Sequence, residues 1–236
     1  MKALILAGGF GTRLQSVLPN VPKPMALVND KPFLEILLLR LKNQGFTEFY
    51  LLLHYKPEVI IDYFFNKKEF KIHFIIEDSP LGTGGSIINA IKHFNIDDDI
   101  FIFNGDSLVD VDCNDIALKH KQKTMTICIV NVKDGYRYGR VESNDGIVTR
   151  FVEKDGLHSP ASINAGVYLV NAKDLIDEAV RIGKECFSME KEIFESSKRN
   201  IPLLAYHCCD SYFIDIGTPD DYNKIKSGFF NKRKKS

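Results

Sequence analysis

Three glycines, a threonine and an arginine stand together in Leu6-Ala7-Gly8-Gly9-Phe10-Gly11-Thr12-Arg13-Leu14, and Lys23 follows between two prolines in Val21-Pro22-Lys23-Pro24-Met25. Glycine accepts positive φ, so such a loop can turn its backbone N–H groups toward one point. A concave row of N–H groups binds anions, phosphate above all. Arg13 adds a planar cationic fork suited to phosphate oxygens. Lys23 adds a second cation on backbone stiffened by Pro22 and Pro24. The stretch therefore reads as a polyphosphate cradle. It is not a dinucleotide fingerprint, which needs a third glycine where Leu14 stands and an acid about twenty residues on. It is not a P-loop either, because no Gly-Lys-Ser/Thr triplet follows Gly11. A glycine-rich turn beside a surface arginine remains the bland alternative at this point.

The other candidate groups are acids. Asn104-Gly105-Asp106 follows the apolar run Ile100 to Phe103, and Asp215 follows Tyr212 to Ile214. Hard oxygen ligands at two strand ends suit Mg²⁺ held between carboxylates and phosphates. A turn aspartate and a helix-capping aspartate are the plain alternatives. Asp110-Val111-Asp112 spells a rival D-x-D pair, and Asp97-Asp98-Asp99 reads as a solvated turn. The six histidines show no ligand spacing, and there is no Ser/His/Asp or Cys/His constellation. The five cysteines are odd in number and lack a C-x-x-C pair, which predicts reduced thiols in a cytosolic protein.

These groups need a scaffold, and the apolar pattern supplies one. Ala3 to Ala7, Glu48 to His54, Lys71 to Ile76 and Ile100 to Phe103 read as strands. Helices are predicted between them over Pro32 to Gln44, Pro57 to Phe65 and Ser86 to Phe94, the last entered through a second glycine-rich loop, Glu77 to Gly85. Alternation of this kind argues for a parallel sheet with right-handed crossovers. Ligands of such sheets gather at the carboxyl ends of strands, so the two glycine-rich loops can share one crevice. Further on, a helix over Asp112 to Lys121 and a strand over Thr124 to Val130 precede a hairpin. Its arms are Arg140 to Ser143 and Ile147 to Val152, turning at Asn144-Asp145-Gly146. Ser162 to Val170, Leu203 to His207 and Tyr212 to Ile214 read as late strands. Asn171 to Ile182, Met189 to Ser197 and a segment from Thr218 or Pro219 to Gly228 read as helices.

The 236 residues carry 31 Lys and Arg against 31 Asp and Glu. A zero balance argues against a broad nucleic-acid or membrane footprint, so charge must act locally. The apolar start is too short for a signal segment or a membrane span.

Gly8-Gly9-Phe10-Gly11-Thr12-Arg13-Leu14 followed by Pro22-Lys23-Pro24-Met25 resembles the signature of the sugar-1-phosphate nucleotidyltransferases. Pro80-Leu81-Gly82-Thr83-Gly84-Gly85, Asn104-Gly105-Asp106, Phe151-Val152-Glu153-Lys154, Asn164-Ala165-Gly166-Val167-Tyr168 and Phe213 to Pro219 agree with it. The likeness spans nearly the whole chain, and within the family it is similar to the D-glycero-D-manno-heptose 1-phosphate guanylyltransferases. The resemblance implies one α/β, Rossmann-like domain over 1–230. It would have a mixed, mostly parallel central sheet with helices on both faces, followed by a disordered basic tail over 231–236. No hexapeptide run suggests an appended acyltransferase domain.

The implied reaction joins an NTP, GTP by this likeness, to a sugar 1-phosphate for cell-surface polysaccharide synthesis, in the cytoplasm. Mg²⁺ is the implied cofactor, and neither nucleic acid nor membrane is a partner; a homo-oligomer stays open. By resemblance, Leu6, Gly8, Gly9, Gly11, Thr12, Arg13, Glu77, Gly82 and Thr83 hold the nucleotide. Arg13, Lys23 and Asp106 are catalytic, and Asp106 and Asp215 hold the metal. Gly139, Glu153, Lys154 and Asn164 hold the sugar phosphate. Two rivals stay open: a glycosyltransferase using Asp110 and Asp112, and a silent subunit that only binds a nucleotide-sugar.

Overall fold

The computed structural model describes residues 1–208 and 212–226. The expected tail and Cys209 lie outside them. In chain order the elements are β1 (Lys2–Leu6), β2 (Leu27–Val28), β3 (Lys31–Pro32), α1 (Phe33–Asn43), β4 (Glu48–Leu53), α2 (Pro57–Phe64), β5 (Ile72–Ile76), α3 (Gly82–His93), β6 (Asp99–Asn104) and β7 (Ser107–Val109). Then follow α4 (Cys113–Lys119), β8 (Met125–Val132), β9 (Gly139–Asn144), β10 (Ile147–Glu153), β11 (Ala161–Asn171), α5 (Ala172–Ile182), a π turn (Glu190–Phe194), β12 (Leu203–His207), β13 (Phe213–Asp215) and α6 (Pro219–Lys226).

Nine strands form one sheet in the order β5-β4-β1-β6-β11-β8-β12-β10-β9. The first four are parallel, as apolar strands joined by helices require. β11 enters antiparallel between β6 and β8 and opens the mixed half. Side chains alternate across the sheet. Ala3 and Ile5 pack with Leu34, Leu38 and Ile60 from α1 and α2, whereas Leu4 packs with Ile87, Ile91 and Leu175 from α3 and α5. The expected α/β fold with helices on both faces is what forms.

A third, smaller core, made of residues outside the main sheet, matters for the site. Leu14, Ala26, Val28 and Phe33 pack there with Leu108, Ile214, Tyr222 and Ile225. β7 and β13 make a two-stranded antiparallel ribbon beside it. Asp215 thus lies inside a ribbon strand, not after a strand of the main sheet. The predicted hairpin turn forms at Asp145 and Gly146, both at positive φ, as a two-residue primed turn requires.

Two expectations change. Gly82-Thr83-Gly84-Gly85 is the first turn of α3, not a loop. The predicted helix over Met189 to Ser197 is a π turn over Glu190–Phe194. Glycine is a poor helix former, but here its missing side chain is what the packing uses. A Cβ on Gly84 would lie 2.1 Å from the Phe187 ring. The N–H groups of Gly84 and Gly85 instead donate to Phe187 O at 3.0 and 3.3 Å.

Candidate active site

The first glycine-rich loop leaves β1 and is anchored by Leu14, 2 % exposed, in the third core. Ala7 N–H donates to Leu52 O at 3.0 Å and Leu14 N–H to Gly11 O at 2.9 Å. Between them the N–H groups of residues 8–13 find no acceptor among the described residues. Gly8 and Gly11 are half-buried and the other four residues are exposed, so these N–H groups stand open to a ligand, and a row of such donors beside a cleft suits an anion. Among the three glycines of the loop only Gly11 has positive φ, +58°, and its Cβ would come 2.9 Å from the Lys23 Cβ. Arg13 is exposed, without an ion pair among the described residues.

A cleft of about 650 Å³ opens over this loop. Leu6, Gly8, Gly9, Gly11, Thr12, Arg13 and Lys23 line it from one side, and Glu77, Gly82, Thr83 and Asp106 from the others. Thr83 faces inward to the protein as well: its Oγ1 donates to Glu190 Oε2 at 2.7 Å and accepts from Met189 N–H at 2.9 Å. Glu77, 9 % exposed, accepts the Leu81 N–H on Oε2 at 3.3 Å.

Lys23 connects the loop to the acids. Its Nζ lies 2.6 Å from Asp106 Oδ2 and 3.2 Å from Asp215 Oδ1. The two acids are far apart in sequence but meet through the ribbon, where Asp215 is opposite Ser107 and Ile216 N–H donates to Asp106 O at 3.0 Å. Burial alone would push the Lys23 ammonium down, but the Asp106 and Asp215 charges outweigh it and hold it above its ordinary value. Burial holds the Asp215 carboxyl above the usual carboxylate range, against the opposing pull of Lys23. Like charges in one place need a cation between them, and the ammonium occupies that position. Thr218, not Asp215, caps α6: its Oγ1 accepts the Asp221 N–H at 3.3 Å.

A smaller cleft of about 160 Å³ adjoins the first, lined by Gly139, Glu153, Lys154, Asn164 and Asp215 among others. Lys154 pairs with Glu153 Oε1 at 2.6 Å and holds φ at +51°, a backbone conformation that non-glycine residues avoid. Asn164 lies at a break in the β11–β8 register and donates to Tyr168 Oη at 2.8 Å. All the residues expected at the site line one of the two clefts.

Sequence reasoning missed Glu190 and Lys191, which the π turn brings to the larger cleft, and Arg137, which lines the smaller one and pairs with Asp221 at 2.7 Å. The run Glu190-Lys191-Glu192 beside Thr83 gave no local signal, because an irregular turn positions it. His54 and Phe10 were also missed as lining residues of the larger cleft. Asp112 caps α4, accepting from Asn114 N–H at 2.9 Å and Asp115 N–H at 3.2 Å. Neither Asp110 nor Asp112 lines these clefts. No group of three or more His, Cys, Asp or Glu among the described residues is placed to hold a metal.

A cradle of backbone donors after β1, two cations and two facing acids, one after β6 and one in the β7–β13 ribbon, make a site suited to a nucleotide. The nucleotidyl transferase family profile matches residues 2–231, and the chain belongs to that family. It is 40% identical over 226 residues to the D-glycero-alpha-D-manno-heptose 1-phosphate guanylyltransferase of Campylobacter jejuni, covering 94% of this chain and 97% of that protein. The enzyme of the same name from Aneurinibacillus thermoaerophilus is 39% identical, with 96% and 97% covered. HddC from Yersinia pseudotuberculosis, crystallised with GMP-PN, superposes with a TM-score of 0.83 at 37% identity, covering 97% of this chain and 99% of that one. The protein is a nucleotidyltransferase.

Proposed function

We propose that the chain, as one domain over 1–230, transfers GMP from GTP to D-glycero-D-manno-heptose 1-phosphate, releasing pyrophosphate and a GDP-sugar for cell-surface polysaccharide. The row of N–H groups at residues 8–13 without an acceptor among the described residues, closed by Lys23 between two acids, carries this reading. A phosphate oxygen of the sugar phosphate attacks the α-phosphorus in line. The new O–P bond forms as the bond to the β-phosphate bridging oxygen breaks, and that electron pair leaves with pyrophosphate. The nucleophile is already anionic, so no general base is needed, and catalysis is positioning and charge neutralisation.

Gly8, Gly9, Gly11 and Thr12 cradle the triphosphate, with Leu6 at the strand end beside it. Arg13 neutralises the departing pyrophosphate, and Lys23 turns from the acids to the α-phosphate. Lys154 grips the sugar phosphate while Gly139, Glu153 and Asn164 line the sugar. The two carboxylates fit a hard divalent ion once the ammonium withdraws, and Asp106 and Asp215 are the residues that would hold Mg²⁺. Bound there, Mg²⁺ would neutralise phosphate charge as a Lewis acid. Gly82 and Thr83 flank the base. Glu77 supports guanine: its Oε1 has no partner among the described residues, and a carboxylate accepts the N1–H and 2-amino groups that guanine presents. The proposed site of action is the cytoplasm; no helix among the described residues is long and apolar enough to cross a membrane.

A matrix of NTPs against sugar 1-phosphates, scored by pyrophosphate release, tests the reading. The highest kcat/KM is expected for GTP with the heptose 1-phosphate. A better rate with UTP, CTP or dTTP overturns the base, and a better hexose 1-phosphate overturns the sugar.

A further inference from the structure

His54 follows β4 directly and stands between the phosphate loop and Glu77, yet none of the steps above uses it. Its Nδ1 lies 2.8 Å from Glu77 O. A carbonyl oxygen only accepts, so Nδ1 carries the proton and donates. Glu77 is thereby held at three points. Its N–H donates to Leu53 O at 2.9 Å, its carbonyl accepts from His54, and its Oε2 accepts the Leu81 N–H at 3.3 Å. The remaining oxygen, Oε1, is left for a ligand in the larger cleft.

The same imidazole reaches the phosphate loop. The Phe10 ring meets it edge-on, with centroids 5.3 Å apart and planes at 82°. A Cβ on Gly8 would lie 3.0 Å from His54 N, so the loop backbone packs directly on this residue. One side chain therefore touches both the loop that cradles phosphates and the residue that would read the base.

We infer that His54 is a positioning residue for base discrimination. It holds the Glu77 backbone at the end of β5 and, through Phe10 and Gly8, sets the spacing between base reader and phosphate loop. The inference rests on the reading of Glu77 as the guanine acceptor. Recognition of two adjacent N–H groups by one carboxylate is sensitive to small displacements, because a misaligned acceptor leaves a buried donor unpaired. A free carbonyl at Glu77 would let the β5 end shift and blunt that discrimination.

The test compares kcat/KM for GTP and ITP, which differ by the 2-amino group, in wild type, Glu77→Gln, His54→Phe and His54→Asn. His54→Phe keeps a ring against Phe10 but leaves Glu77 O without its donor; His54→Asn keeps a side-chain N–H. His54→Phe is expected to reduce the GTP-to-ITP ratio about tenfold, the value of one lost hydrogen bond in such a site. It should act through KM for nucleotide and not through KM for sugar 1-phosphate, and His54→Asn should restore most of the ratio. A folded His54→Phe enzyme with the wild-type ratio overturns the inference. So does an equal loss for GTP and ITP with both KM values raised, the signature of a merely structural contact. Should His54→Phe not fold, His54→Leu gives the same contrast against His54→Asn. If wild type favours GTP and Glu77→Gln abolishes the preference while His54→Phe leaves it intact, only the inference fails. If wild type does not separate GTP from ITP, the Glu77 reading fails and takes this inference with it.

Discussion

The two halves of the sheet build their parts of the site from different material. On the β5-β4-β1-β6 side the strands run parallel, and the groups offered to a ligand are backbone N–H donors of residues 8–13. On the β11-β8-β12-β10-β9 side the ladders are mostly antiparallel, and the groups offered are side chains already paired with one another. Glu153 holds Lys154, Tyr168 holds Asn164, and Asp221 holds Arg137. A cradle made of backbone is set by the path of the chain and changes little when side chains change. A surface made of side chains is re-specified one substitution at a time. Under the proposed function, the comparison predicts a constant phosphate end and an adaptable sugar end.

The largest break is expected at the junction of the halves, where Lys23 lies between Asp106 and Asp215. Lys23→Ala removes the cation and leaves two acids facing each other. The loss of one preorganised charge contact of this kind costs about 100-fold in kcat. Arg13→Ala, on the backbone-made half, should cost a similar factor through the departing pyrophosphate. Steady-state pyrophosphate release with circular dichroism of each variant checks this; near-wild-type kcat in both folded proteins would end the assignment.

A smaller break is expected at the acids themselves. Asp106→Asn and Asp215→Asn should each raise the Mg²⁺ concentration for half-maximal rate about tenfold or more, since even outer partners of a metal site are worth about 10–100-fold in affinity. A Mg²⁺ titration reads it, and an unchanged curve for Asp215→Asn leaves Asp106 as the sole metal contact. Lys154→Ala sharpens the contrast between the halves. It should raise KM for sugar 1-phosphate about tenfold, the value of a charge-assisted hydrogen bond, and leave KM for GTP near wild type. Equal shifts in both KM values would show that the sugar half is not separable.

How much of this could be read from the chain follows the same division. That Gly8, Gly9, Gly11, Arg13 and Lys23 share one cleft was legible because they lie within one short stretch. The strands were legible from apolar runs such as Ala3 to Leu6 and Ile100 to Phe103, buried on both faces of a covered sheet. Gly82 to Gly85 misled because helix propensity is a local rule, whereas the Phe187 backbone and ring decide what fits there. Lys23 between the acids was not legible, since Asp106 and Asp215 are joined only through the ribbon of β7 and β13. Glu190, Lys191 and Arg137 were missed for the same reason: irregular backbone or a distant partner places them, and no periodicity announces either.

The smallest effect is expected where the chain spells a motif that the fold spends on something else. Asp110-Val111-Asp112 has the lettering of a metal-binding pair, but the Asp112 carboxylate accepts the Asn114 and Asp115 N–H groups at 2.9 and 3.2 Å. Those are the first unpaired donors of α4, and a carboxylate there satisfies them and meets the positive end of the helix dipole. Asp112 is exposed and outside both clefts. Asp112→Ala should therefore lower stability by about 1 kcal/mol, the usual value of an N-cap, and leave the Mg²⁺ dependence of turnover as it was. Asp112→Asn should recover most of the stability, because asparagine caps about as well as aspartate. Urea unfolding of the three proteins reads the first effect and pyrophosphate release over a Mg²⁺ series reads the second. A metal ligand would differ in the second measurement: Asp112→Asn would keep the stability and still shift the Mg²⁺ curve, and that result would place Asp112 at the metal.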